Sequence, residues 1–226
     1  MNKIRSADPI KEKSDIKILA PKFSKRIEHM QLESLSLEDE GCYDDFVISD
    51  YKIEAITMHL LNFEGAIFRN VDFTGISWSS LSLSNVRFEN CDLSNADFSG
   101  AIIHKTEFIG CKLMGLNLRE ASLQNVLLEN CKASFIFLRF SRVKLAIFET
   151  CQFESGDFQN AELSKVVFDR CVLRLCQMSG TRLADIDLSD SDIEGLGVRI
   201  EDLKGAIVSP VQAVDFSKLF GLVVKP

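Results

Sequence analysis

Large apolar residues recur at every fifth position of this chain. From Tyr43 the series runs Tyr43, Ile48, Ile53, Met58, Phe63, Phe68 and onward to Val208, through 34 positions without a slip. Every member is apolar or aromatic, and the series holds ten of the 17 Phe and the single tryptophan, Trp78. At the chain's overall hydrophobic frequency of 46%, such a run has a chance on the order of 10⁻¹¹. A second series lies two residues earlier: Ile56, Leu61, Ala66, Val71, Ile76, Leu81, Val86, Cys91 and onward. Its members are small or medium, and Glu201 is its one charged member. The other three places in each five carry most of the Asn, Asp, Ser, Glu, Lys, Gly and Arg.

A period of five fits neither a helix nor an ordinary strand. Two inward residues in each five mean a short extended piece, with both apolar residues on one side, followed by a turn. Gly and Asn suit the corners, where positive φ is needed. Four such sides make a square coil of 20 residues, and stacked coils pair their edges as parallel strands. The cysteines test this period independently. Cys91, Cys111, Cys131, Cys151 and Cys171 recur at intervals of 20, which places them in one inner column. Stacked thiols among Phe and Leu are expected as small apolar filler.

The segments "CDLSNADFSGA", "NVDFTGI" and "NAELSKVVF" resemble the A(D/N)LXX pentapeptide repeats. The resemblance spans Tyr43 to Val208. It implies an all-β fold, a right-handed quadrilateral parallel β-helix, in agreement with the square coil. At about 4.8 Å per layer the rod would be roughly 40 Å long.

The ends of a solenoid need caps, because the terminal coils expose an apolar cross-section. Upstream, Leu32 and Leu37 lie one residue out of register, with Met30 and Leu35 as their partners, and predict an initial strand or partial coil. Downstream, Ser209, Pro210 and Gln212 form a capping box with Pro at the first helical position. A short helix is expected over about 210–220, with Gly221 as its stop. The expected organisation is a basic tail at 1–26, flexible or loosely docked, a β-helix at 27–208, and a cap at 209–226. In quinolone-resistance members of the resembled family a C-terminal helical end joins two chains. The resemblance therefore implies a homodimer here, through Val214, Phe216, Leu219 and Phe220.

Charge is uneven. Residues 1–26 carry a net +5 and the remainder a net −12. An acidic body repels nucleic acid and favours basic partners, so no direct nucleic-acid binding is expected. No apolar run reaches the length of a membrane span, and the N-terminus lacks the apolar core of a secretory signal. These features point to the cytoplasm, where thiols stay reduced.

The chain offers little for chemistry. His29, His59 and His104 stand at no metal-ligand spacing from Cys or from each other. Phosphate loops, nucleophile elbows and dinucleotide fingerprints are missing, so neither catalytic residue, metal nor cofactor is expected. Asp187, Asp190 and Asp192 leave a sugar-active β-helix enzyme as a remote alternative. The surface is more informative. On one face Glu89, Glu129, Glu149 and Asp169 fall in a column, an acidic ridge that could imitate a phosphate backbone. A second patch, "SFIFLRFSR", places Phe135, Phe137 and Phe140 outward or at corners around Arg139. Exposed aromatics with Arg are the usual composition of a binding hot spot. Phe135 has an alternative inward position, beside the small Ala133. Leu127, Ile147 and Val167 form an outward apolar column that adds to a contact reading.

The resemblance implies a non-enzymatic protein that binds a type II topoisomerase, DNA gyrase or topoisomerase IV, through a DNA-like rod and protects it from quinolones or toxins. The alternative is a scaffold that binds another protein through the aromatic patch.

Overall fold

The computed structural model describes residues 10–13, 16–25, 27–29, 37–54 and 56–225. The chain winds into a parallel β-solenoid with a register of 20 residues per coil. Five long strands, Ser82–Glu89, Ile102–Ile109, Ser122–Glu129, Arg142–Glu149 and Glu162–Asp169, pair in parallel, each residue with the one 20 later. The shorter strands Asn62–Glu64 and Ile67–Arg69 continue the ladder below them. The remaining sides of each coil pair through single bridges such as Asp92↔Lys112 and Asp97↔Asn117. Backbone bonds join neighbouring layers all round, as in Asn90 N to Ile109 O (2.8 Å) and Asp92 N to Val71 O (3.0 Å).

The corners fall on residue numbers divisible by five, and apart from Asp190 and Ile200 the described ones from 40 to 205 have φ between +47° and +84°. Gly100 (φ +68°) and Gly115 (φ +68°) adopt this conformation without strain, and Asn90 and Asn130 (both φ +55°) with little. Before six of the corners an aspartate starts the turn. The Oδ1 atoms of Asp72, Asp92, Asp97, Asp157, Asp187 and Asp192 each accept the backbone N–H two residues on, at 2.9–3.1 Å. The repeated acid is thus a turn device first. Hydrogen bonds from Thr74, with Lys52 adding to them, hold the Asp72 carboxyl down at about 2. Asp187 and Asp192, which left a sugar-active enzyme open, are two of these turn residues.

Inside, the two series fill the square. Phe68, Phe88 and Phe108 stack one coil apart, with centroids 5.1 and 4.8 Å apart, so the ring separation follows the strand spacing. Trp78 is buried at 2% exposure between Phe63 and Phe98. The five stacked cysteines are buried and free. Each donates its S–H to the carbonyl 23 residues earlier, as in Cys131 Sγ to Phe108 O (3.3 Å). Burial pushes a sixth thiol, Cys176, up to about 12. Two polar members of the small series follow the same rule, Thr181 donating to Phe158 O and Ser191 to Phe168 O, while Ser141 donates to Leu138 O, three residues back, at 2.7 Å. Glu201 leaves the series, since Ile200–Leu203 forms a 3-10 turn in which it is exposed.

Both ends are closed. The helix α1, Pro210–Ser217, starts with the expected capping box and passes through a 3-10 turn to Gly221 at φ +73°. Gln212 is buried, and its amide donates to Leu188 O (2.7 Å) and Ser191 O (2.8 Å). That side chain supplies donors that a further coil would have given. At the other end Glu28–His29 pairs with Phe46 and Val47, 18 residues on, and Leu37 packs against the core. Met30, Leu32 and Leu35, expected in the initial strand, lie outside the described residues.

The N-terminal segment differs from a loose tail where it is described. Strand β1 (Ile10–Lys13) forms an antiparallel hairpin with β2 (Ile16–Leu19). The segment from Ile16 to Lys25 then runs along the outside of the rod toward the first coil. Ile18 is 1% exposed and forms a small second core with Leu127 and Ile147, edged by Ile16, Leu145 and Val167. The outward apolar column is therefore covered by the chain itself and does not add to the aromatic patch.

Candidate binding surfaces

The acidic column forms as its spacing requires. Glu129 pairs with Glu149 and Glu149 with Asp169 in adjacent layers, with Ile109 between Glu89 and Glu129. The side chains are less open than an outward ridge implies: Glu149 is 29% and Asp169 10% exposed. Arginines sit among them. Arg170, at the next corner (φ +50°), reaches Glu149 at 3.0 Å and Asp169 at 3.2 Å. Arg69 bonds Glu89 at 2.6 Å, and Arg87 lies 3.6 Å from it. Stacked carboxylates repel, and these cations offset that repulsion. Arg170 belongs to a corner and Arg87 to the same strand as Glu89, while Arg69 continues the column one layer below Glu89.

The aromatic patch divides. Phe135 and Phe140 stand at corners (both φ +60°) and are 54% and 55% exposed. Phe135 does not turn inward beside Ala133. Left-handed backbone costs a residue with a Cβ about 1–2 kcal/mol, so these rings are exposed and strained together. Phe137 is half-buried in the side between them, with the Arg119 guanidinium 4.6 Å above its ring. Arg139 is engaged by Asp157 (2.9 Å) and Gln159. The open surface here is therefore the two corner rings, with Met114 (49%) and Leu175 (52%) also exposed near that edge.

At the C-terminus Val214 (45%), Leu219 (40%) and Phe220 (61%) are exposed, and so are Leu222 (59%) and Val223 (88%). Phe216 departs from this group: it packs against the core of the rod and belongs to the cap.

Sequence reasoning found only the upper part of one column, Leu127, Ile147 and Val167, and missed its continuation down the outer face through Glu107, Arg87, Ile67 and Val47 in 20-residue steps. All but Val167 are buried. Its signal was an apolar 20-residue period on outward positions, together with the alternation of Ile16, Ile18 and Ala20.

Among the described residues no three His, Cys, Asp or Glu gather as a metal site, and no helix is long and apolar enough to cross a membrane.

A pentapeptide repeat region matches residues 81–145, and the pentapeptide repeats (8 copies) family matches residues 151–195. No curated protein matches the chain in sequence. Among solved structures, the chain is similar to HetL, a pentapeptide repeat protein involved in heterocyst differentiation regulation from the cyanobacterium Nostoc sp. Strain PCC 7120. The identity is 16% over 78% of this chain and 94% of HetL, with a TM-score of 0.41. It is similar to QnrB1, a plasmid-mediated fluoroquinolone resistance protein, at 19% identity over 82% of this chain and all of QnrB1, with a TM-score of 0.29. A pentapeptide repeat protein from the Arabidopsis thaliana thylakoid lumen is 18% identical over 57% of this chain and 75% of its own, with a TM-score of 0.30. The repeat matches and the coil they fold into identify the chain as a pentapeptide-repeat β-solenoid.

Proposed function

We propose that the protein is a non-enzymatic binding module of the cytoplasm whose acidic side engages the basic DNA-binding groove of a type II topoisomerase, DNA gyrase or topoisomerase IV. In this reading it protects the enzyme, binds no nucleic acid itself, and pairs two rods through Val214, Leu219 and Phe220. The observation that carries the reading is the column Glu129, Glu149 and Asp169, held one layer apart by strand pairing. The net −12 of the body supports it. Spread over roughly 40 Å, that charge is about one per 3–4 Å, against one per 1.7 Å for duplex DNA. Binding would therefore be steered by charge but weaken less steeply with salt than binding of DNA.

Surface plasmon resonance against gyrase at two salt concentrations tests this. The triple variant Glu129→Gln, Glu149→Gln, Asp169→Asn should lose binding while circular dichroism stays unchanged. Neutral amides suit the half-buried Glu129 and Glu149 sites and the buried Asp169 site better than lysines. Retained binding would overturn the DNA-mimic reading.

The strained, exposed corner rings favour a second reading, a scaffold that grips another protein through Phe135 and Phe140. Its mark is the opposite ranking: the corner variants lose the partner and the neutralised column keeps it.

A further inference from the structure

The segment from Ile16 to Phe23 lies on the rod as a bound peptide would. Its side chains alternate, Ile16, Ile18 and Ala20 toward the rod and Lys17 and Leu19 away. Pro21 is buried, and the Phe23 ring lies 5.2 Å from the Arg87 guanidinium. Two of its backbone amides are taken by corner side chains, Leu19 N by Asn125 Oδ1 (3.1 Å) and Lys22 N by Asn85 Oδ1 (3.0 Å). The spacing is matched: three extended residues cover about 10 Å, and two layers rise about 9.6 Å.

Two features distinguish this segment from a fixed part of the core. Its buried cluster, Ile18 with Leu127 and Ile147, is separate from the continuous core that fills the coil, so the rod closes its own interior without it. The floor beneath it is also broken by charge. Arg87 and Glu107 form a buried pair at 2.7 Å in the middle of the apolar column. Covering an ion pair costs desolvation that two apolar residues would not, so this floor holds its cover less tightly than an all-apolar one.

We propose that this face is a groove for an extended peptide, and that its occupant, Ile16–Phe23 of the chain itself, is a detachable ligand. The chemistry it reads is aliphatic residues at alternate positions, then proline, then an aromatic ring over a guanidinium. Detachment uncovers the apolar column for the same segment offered in trans. This inference is independent of any topoisomerase partner.

The test uses the full chain. Ile18→Asp should evict the segment, and hydrogen exchange at the Leu19 and Lys22 amides should rise at least about tenfold, because a fully buried aliphatic side chain is lost. A fluorescein-labelled peptide spanning residues 16–25 should then bind this variant at least about tenfold more tightly than wild type. Adding Ile147→Asp, with circular dichroism as the folding control, should abolish that binding. Replacing the charged pair by Arg87→Leu with Glu107→Leu should slow exchange at the same two amides. Continued protection of Leu19 and Lys22 in Ile18→Asp would overturn the proposal. So would failure of the peptide to bind once protection is lost, or faster exchange in the double leucine variant.

Discussion

The backbone amide of Leu19 is held by the side chain of Asn125, 106 residues away in sequence, at 3.1 Å. Asn125 occupies a corner at φ +56°, so the residue that bends the coil also anchors the segment outside it. Asn125→Gly keeps the corner free of strain and removes only the amide. It should cost about 1 kcal/mol in anchoring and leave the thermal transition of the rod nearly unchanged. Hydrogen exchange at Leu19 reads the first effect and calorimetry the second.

The same asparagine meets His104, its Nδ2 lying 3.4 Å from Nε2. That contact is a hydrogen bond only when Nε2 is unprotonated. Burial, then the nearby Lys105 charge, holds the His104 pKa below 6.5, and Glu64 opposes them. A histidine lowered on folding stabilises the folded state fully above its unfolded pKa, and the contribution is lost as pH falls below about 6.5 and through the folded value. Protection of the Leu19 amide should fall over that window in wild type and stay level in His104→Gln.

Phe135 and Phe140 place aromatic rings at left-handed corners. Asparagine adopts that backbone more easily. Phe135→Asn and Phe140→Asn should each stabilise the rod by about 1 kcal/mol, raising Tm by about 2–4 °C for a chain of this size. Differential scanning calorimetry checks this, and a fall in Tm would show that the rings support the fold.

Trp78 is buried, and its Nε1–H has no hydrogen-bond partner among the described groups. An unmet buried donor costs about 1–3 kcal/mol, which offsets the area a tryptophan buries. Trp78→Phe, which continues the stack on Phe98, should therefore change stability by less than about 1 kcal/mol. Chemical denaturation measures it. In wild type the single emission band should be blue-shifted and poorly quenched by iodide.

Gln212 joins the helix to the last coil through Leu188 O and Ser191 O, while its Oε1 accepts from Ser209 N at 2.9 Å. Gln212→Ala leaves these groups unmet and should destabilise the cap by about 2 kcal/mol. The loss should appear as faster exchange at residues 209–217 while amides in the middle of the rod keep their protection.

The coil itself was legible in the sequence, because its cause is local and repeated. A greasy residue every five positions and a small one two before it define the two inward places. Gly and Asn mark the corners, and the five cysteines set the 20-residue turn. The helical cap was legible for the same reason, since Ser209, Pro210 and Gln212 act within one turn. What the sequence could not show were relations between residues far apart along the chain. Glu149 and Asp169 share Arg170 only once the layers are stacked. Phe216 and Phe220 look alike in the sequence, but one faces the rod and the other solvent. Ile18 and Leu127 each satisfy a local pattern, and only the path of the segment across several coils brings them together. Periodicity fixes which way a side chain points from its own coil. Which other part of the chain it then meets is decided by packing between distant segments, and that only the tertiary structure determines.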